Sequence, residues 1–417
     1  MNKRIIALAA IVVMLVAVTA IFAGCSADRA ITIRIAAPGE YMDSATYNGF
    51  ADWYYEKTGK KVLVEYNEFD TLENLYTWIS IKKEDYDLIC PSDYMIQRLD
   101  GEGLLQPIND QTRALLNERI DPRVIQMAKE SYDPEFKLSA PYMWGTLGIM
   151  FNVNSDGKPG LQNELDEMNS WDVFWNAKHK DKIFMKDSVR DAYSVAAVYN
   201  KRKELRAALG ESLNYDNPAY REILLEIFDR TDDETIKAAE KALMAQKRNV
   251  HDYEVDSAKD ELLRDSNGKK GYFGLFWSCD AGYIMTGEED DTNKNLYYTV
   301  PEEGSNVWLD AFVIPTYSKN PDLANAFIEY LSETDIGYEC MDYAGATTAV
   351  KAAAEEYKAM LEEDEDGFFE GTYEGFREMY MEMMFPSDET LKRCAIMKDY
   401  GEYNQKLDEM WMDVILS

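Results

Sequence analysis

The sequence predicts an α/β fold built on parallel sheet, behind a short N-terminal leader. Three observations carry this. Strand-like and helix-like segments alternate from Ile31 to Gly103, which is the signature of parallel strands joined by helical crossovers. About 390 residues follow the leader, enough for roughly two domains with sizeable cores. Aromatic residues make up 12% of the 417, with 28 tyrosines, so most of the chain is expected to be ordered.

The elements read in order. Ile31-Thr32-Ile33-Arg34-Ile35 alternates and predicts a strand turned by Pro38-Gly39. Helical spacing over 47–58 places Phe50, Trp53 and Tyr54 on one side, with Gly59 as the stop. A second strand covers 61–66 and a second helix 71–81. Asp87-Leu88-Ile89-Cys90 is a short buried strand ended by Pro91, and a helix over 94–102 stops at Gly103. Beyond Pro141 the spacing changes. Residues 142–151 are β-like, 171–175 and 192–209 helical, and 217–246 a long charged helical region. Buried strands follow at 272–277 and 306–314. Helices follow at 322–331, 352–366 and 402–414. There is no internal repeat.

The leader has its own pattern. Lys3 and Arg4 precede an apolar run from Ile5 to Phe22, which ends in Ala23-Gly24-Cys25-Ser26. Basic, apolar, small is the order of a secretory signal peptide, here residues 1–24. A cysteine directly after the small residues resembles the bacterial lipoprotein cleavage box, although Phe22 stands where the box usually has Leu. The resemblance implies a chain that starts at Cys25, carries lipid there, and works outside the cytoplasm tethered to the cell membrane. The alternative is a plain transmembrane anchor, for which the run is at the low end of length.

The formal charge of -33, from 77 acidic and 44 basic side chains, repels nucleic acid and anionic lipid and attracts cations. No Gly-rich phosphate loop follows any strand. Cys90, Cys279, Cys340 and Cys394 are widely spaced with no C-x-x-C pair, which argues against a metal site. Two disulfides are conceivable, but Cys90 in its apolar run reads as a buried thiol. His179 and His251 lie in polar contexts and read as surface residues. Asp291, Asn293, Asn295 and Glu302 have calcium-loop spacing, but Leu296 stands where the turn glycine belongs, so the match is set aside. The acidic runs 288–291 and 362–366 read as solvated loops or helix ends.

Several stretches resemble the bacterial spermidine/putrescine-binding proteins, the receptor subunits of polyamine ABC importers. They are Tyr86-Asp87-Leu88-Ile89-Cys90-Pro91-Ser92-Asp93-Tyr94-Met95 followed by Gly101-Glu102-Gly103-Leu104-Leu105-Gln106, then Pro141-Tyr142-Met143-Trp144-Gly145-Thr146, Phe276-Trp277, and Val307-Trp308-Leu309-Asp310-Ala311-Phe312-Val313-Ile314-Pro315. They occur in the family's order along nearly the whole chain after the leader. The resemblance implies a two-lobe, type II periplasmic-binding-protein fold with hinge crossovers near Pro141 and Trp308. Lobe I is expected at 31–141 plus 309–352, and lobe II at 142–308 plus 353–417. It implies a ligand held between the lobes, a partner permease with its ATPase, no enzyme activity, no cofactor or metal, and a monomer.

The chemistry agrees with that family. A polyamine needs a carboxylate for each ammonium and apolar or aromatic walls for its methylenes, and Trp and Tyr faces attract cations by roughly 0.5–2 kcal/mol. Matched to the family's motif, Asp310 is the amine-holding carboxylate, and Trp308 and Trp277 are walls. Ser92, Asp93 and Tyr94 form the loop after the third strand. Asp191 stands at a position that is usually Glu, with Asp187 in reserve, and Tyr41 is the first-loop aromatic. Asp310 is also the hardest of these to explain by packing, since it interrupts an apolar strand. Asp93 has a competing role as a helix cap. Tyr142 and Trp144 are expected to pack the lobe core or the hinge. Two departures, Ala37-Pro38 for Asn-Trp and Ala346 for an aromatic, imply a differently shaped cleft, with Tyr343 a candidate replacement. The alternatives are a receptor for another small organic cation and, lower, a secreted carboxylate-dependent hydrolase.

Overall fold

The computed structural model describes residues 30–153, 161–254, 257–286 and 292–417. The leader, Cys25 and the acidic run 288–291 lie outside them.

β1 (Ile31–Pro38), β2 (Val62–Phe69) and β3 (Leu88–Ile89) pair in parallel with β1 in the middle. Ile33, Ile35, Ala36 and Ala37 bury fully because β1 is covered on both faces. The helix between β1 and β2, Ser44–Thr58, starts where Asp43 accepts the Ala45 N–H at 2.7 Å. It stops at Gly59, whose left-handed φ of 69° suits glycine. Asp87 then ties three segments together. It accepts from the backbone N–H groups of Arg34, Lys319 and Asn320 and from the Ser318 hydroxyl.

The remaining strands are β4 (Leu105–Gln106), β5 (Ser139–Asn152), β6 (Ile183–Lys186), β7 (Val250–Glu254), β8 (Phe273–Trp277), β9 (Leu296–Thr299), β10 (Ser305–Pro315), β11 (Thr347–Thr348) and β12 (Cys394–Ala395). The main sheet path runs β2-β1-β3-β10-β5-β8-β6-β7. Its two ends are parallel, β2-β1-β3 and β8-β6-β7. Its centre is antiparallel, since β10 pairs antiparallel with β3 and β5, and β5 with β8. The parallel pairing expected of the first three strands is present, and the two strands at the expected hinge positions pair antiparallel. The chain leaves the first half along β5 and returns along β10, so those two strands must run in opposite directions.

Both long strands are buried along their whole length. Apolar side chains gather into two cores. One contains Ile35, Leu88, Phe312 and Phe327; the other contains Phe151, Ile183, Tyr193 and Phe273. β5 feeds both, with Met150 in the first and Leu147 and Ile149 in the second. Each fully buried large side chain stabilises by about 1.5–3 kcal/mol, so β5 is anchored in both cores.

Local differences from the sequence reading have local causes. The charged region 217–246 is two helices, Pro218–Asp229 and Asp233–Gln246, because Asp232 caps the second by accepting the Thr235 N–H at 2.8 Å. Residues Trp171–Trp175 form a 3₁₀ turn. The four described cysteines are free thiols, three of them buried. His251 is exposed beside Asp181, but His179 is half-buried, hydrogen-bonded to Glu167 at 2.8 Å with its ring edge-on to Phe273. Asn293 donates to Asn152 Oδ1 and the Leu262 carbonyl, so it is a structural tie. Among the described residues no group of three His, Cys, Asp or Glu side chains is placed to hold a metal, and no helix is long and apolar enough to cross a membrane.

Candidate binding cleft

Asp310 lies mid-way along β10, where the pairing with β5 shifts register between Asp310 and Ala311. Such a bulge re-aims the side chain beside it. Ser92 forms an isolated antiparallel bridge with Asp310, so the loop after β3 is clamped directly onto this point. The Tyr41 hydroxyl donates to Asp310 Oδ2 at 2.5 Å. Tyr41 is held in turn by Tyr142, whose hydroxyl donates to the Tyr41 carbonyl and whose ring meets it edge-on at 5.4 Å. Asp310 is only 8% exposed, and its Oδ1 has no hydrogen-bond partner among the described residues. Burial pushes its carboxyl pKa up, and the Ser92 and Tyr41 hydroxyls pull it part of the way back.

Asp93 opens the helix Asp93–Gly101. Its carboxylate accepts the Tyr94 N–H at 2.6 Å and the Leu309 N–H at 3.1 Å, which locks the helix to β10. Burial raises its pKa to about 8, with Asp310 adding to the shift and the two backbone donors and Arg190 opposing it. Trp308 sits on Gly145: a Cβ there would lie 2.7 Å from the indole and 2.3 Å from Ser278 Oγ. Only glycine lets β5 approach so closely.

A second set of groups sits at the ends of β6 and β8. Trp277 ends β8 and is half-buried; its backbone N–H donates to Asp280 Oδ2 at 3.1 Å. Lys186 ends β6, with Nζ 3.7 Å from the centre of the Trp277 indole and 2.5 Å from Asp280 Oδ2. Lys259 reaches Asp280 Oδ1 at 3.2 Å. Burial alone would raise the Asp280 pKa, but the two lysines outweigh it and hold the carboxyl below its usual range. Asp191 lies in the first turn of the helix Val189–Leu209, capped by Ser188. Its carboxyl is pushed up by burial against the pull of Ser188, Lys186 and Arg190. The Arg190 guanidinium lies 3.7 Å over Tyr94 and 4.7 Å over Tyr400.

These groups form one constellation. Asp93 feels Asp310 and Arg190, and Asp191 feels Arg190, Lys186 and Asp280. The circle closes at Cys279, whose thiol feels Asp280, Lys186 and Asp310 and is pushed up, chiefly by burial, to about 12. Tyr41, Ser92, Asp93, Tyr94, Asp191, Trp277, Trp308 and Asp310 are thus gathered in one neighbourhood, with Lys186, Arg190 and Asp280 among them. Asp187 is not; it is exposed and accepts the Trp411 indole N–H at 2.9 Å. Ala346 is buried at 1% exposure, whereas Tyr343 is 43% exposed. Four participants escaped the sequence reading: Lys186, Arg190, Lys259 and Asp280. A lysine closing the apolar run Ile183-Phe184-Met185 was the available signal for the first.

Two contacts join this neighbourhood to the segment around Asp399 and Tyr400. Arg98 pairs with Asp399 at 2.9 Å, and Arg190 stacks between Tyr94 and Tyr400. A separate cavity of about 320 Å³ lies between β9 and the Phe376–Met384 helix, lined by Tyr297, Glu378, Glu382 and Arg393 among others. None of the eight residues lines it.

Residues 84–368 match the family model described as bacterial extracellular solute-binding protein. The chain is 26% identical over 306 residues to the spermidine/putrescine-binding periplasmic protein of Salmonella typhimurium, covering 73% of this chain and 75% of that protein. It is 24% identical over 367 residues to the protein of the same name in Escherichia coli, covering 86% and 87%. Among solved structures, the spermidine/putrescine ABC transporter substrate-binding protein PotD from Streptococcus pneumoniae superposes with a TM-score of 0.64 at 25% identity. That match covers 93% of this chain and 99% of the other.

Proposed function

This chain belongs to the bacterial extracellular solute-binding proteins, and from that premise we propose that it binds a polyamine of the putrescine or spermidine kind and hands it to a membrane permease. The fold is the two-lobe, type II arrangement of periplasmic binding proteins, and the working place is extracytoplasmic. The observation that carries the polyamine reading is Asp310: a buried carboxylate with one free oxygen, braced by Tyr41 and set beside Trp308. An isolated buried acid is costly unless a partner arrives. An ammonium supplies both the charge and the missing hydrogen bond.

The lobes are 31–141 plus 309–352 and 142–308 plus 353–417, hinged along β5 and β10. Tyr41, Ser92, Asp93, Trp308 and Asp310 grip the ligand from the first side, and Asp191 and Trp277 from the second. Tyr94 stacks with Arg190 and closes the crevice. The protein acts as a monomeric receptor and not as a catalyst, with a permease and an ATPase as partners. Lipid on Cys25 holds it near the permease and raises their effective concentration. Calorimetric titration of the purified protein with putrescine, spermidine and spermine tests the ligand class; absence of binding by all three refutes it. Cys25→Ser should release the protein from the membrane fraction, and retention there would refute the lipid anchor.

A further inference from the structure

The crevice already contains an ammonium of its own. Lys186 Nζ is placed as an amine ligand would be, 3.7 Å over the face of Trp277 and 2.5 Å from a buried carboxylate, Asp280. Both side chains of that pair are nearly sealed, at 2% and 3% exposure. A desolvated ammonium needs compensating contacts of this kind, and the site supplies them to Lys186. The loop at Gly345 presses the Ser278–Thr286 helix into place: a Cβ on Gly282 would lie 2.3 Å from the Gly345 carbonyl. The corner that holds Asp280 is therefore preformed.

The charges around the crevice support the same view. Asp191 and Asp280 face Lys186, Lys259 and Arg190. Asp93 already accepts one backbone N–H on each of its oxygens. Among the described residues, Asp310 Oδ1 is the one buried carboxylate oxygen without a hydrogen-bond partner.

We propose that Lys186 is a specificity-determining residue: it fills the seat between Trp277 and Asp280 with the protein's own ammonium, so the ligand is a short amine anchored at Asp310 and not a longer, more highly charged polyamine. This rests on the reading of the crevice as an amine site. A third ammonium on the ligand would meet Lys186 as a like charge in a place shielded from water, where repulsion is strong. Replacing Lys186 with a neutral side chain returns the corner to the ligand. Asp280 keeps Lys259 at 3.2 Å, so its charge is not stranded.

The test is calorimetry on the full chain with n-butylamine, putrescine and spermidine, using wild type, Lys186→Met and Lys186→Gln, with a thermal melt of each protein. Wild type should bind putrescine at least as tightly as spermidine. Lys186→Met should raise spermidine affinity relative to putrescine by about tenfold or more. Lys186→Gln keeps a donor toward Asp280 and should give the same reversal if the methionine variant does not melt cooperatively. Wild type binding spermidine more than about tenfold tighter than putrescine would overturn the proposal, and so would a folded variant with an unchanged ratio. Failure of all three amines to bind any of the proteins refutes the amine site and this inference with it. Amine binding with an unaltered ratio refutes the role of Lys186 alone.

Discussion

Replacing Asp310 with asparagine removes one charge and almost no volume. The amide oxygen of the new side chain would still accept the Tyr41 hydroxyl that now lies 2.5 Å from Oδ2. What the amide cannot offer is the free anionic oxygen, Oδ1, in a position 8% exposed. A hydrogen bond to a charged partner contributes about 1.5–3 kcal/mol, and burial favours the upper half of that range. A loss of about 2–3 kcal/mol corresponds to a dissociation constant raised roughly thirty- to 150-fold. Stability should move the other way. The folded pKa of Asp310 lies above its unfolded value, so ionising it in the folded chain is unfavourable, and asparagine relieves that cost at neutral pH. The melting temperature should therefore hold steady or rise by about a degree or two. Calorimetry with putrescine and spermidine, beside a thermal melt, reads both quantities. A folded variant with wild-type affinity would remove Asp310 from the ligand site. Tyr41→Phe is the control: it keeps the carboxylate, and its loss should be nearer to about 1 kcal/mol.

Binding should depend on pH through Asp93. Its folded pKa of about 8 exceeds the unfolded value of about 3.9. The stability its proton contributes is complete below that lower value and is lost as pH rises through about 8. A cation favours the ionised form, so at about pH 7 a ligand should displace protons, and affinity should climb from about pH 6 to 8. Titrations in buffers of different ionisation enthalpy would expose an error here by showing no proton release. Arg190→Ala removes the stack between Tyr94 and Tyr400, about 0.5–2 kcal/mol of closing energy. Small-angle scattering should then show a larger ligand-free radius than wild type. Gly145→Ala drives a Cβ to within 2.7 Å of Trp308 and should destabilise by about 1–3 kcal/mol in urea unfolding, and an unchanged midpoint would contradict the packing described.

Much of the architecture was legible because its signals are local. Apolar spacing and the turn residues Pro38, Gly59 and Gly103 mark the β1-to-β3 region to within a few residues. Asp310 stands out in the sequence for a different reason: a charge inside an apolar strand needs compensation, whatever the fold. The direction of β5 against β10 was not legible. Strands buried on both faces carry the same apolar run whether parallel or antiparallel. The split of 217–246 into two helices was missed because Asp232 reads as one more charge until its capping geometry is seen.

Order along the chain thus settles which segments are strands and helices, and which acid stands out as unexplained. The pairing of Lys186 with Asp280, and their joint hold on Trp277, waited on the folded chain. The physical reason is reach. Periodicity and turn chemistry act over a few residues, but an ion pair joins whichever side chains the sheet brings together, and β6 and β8 are neighbours only in the folded sheet.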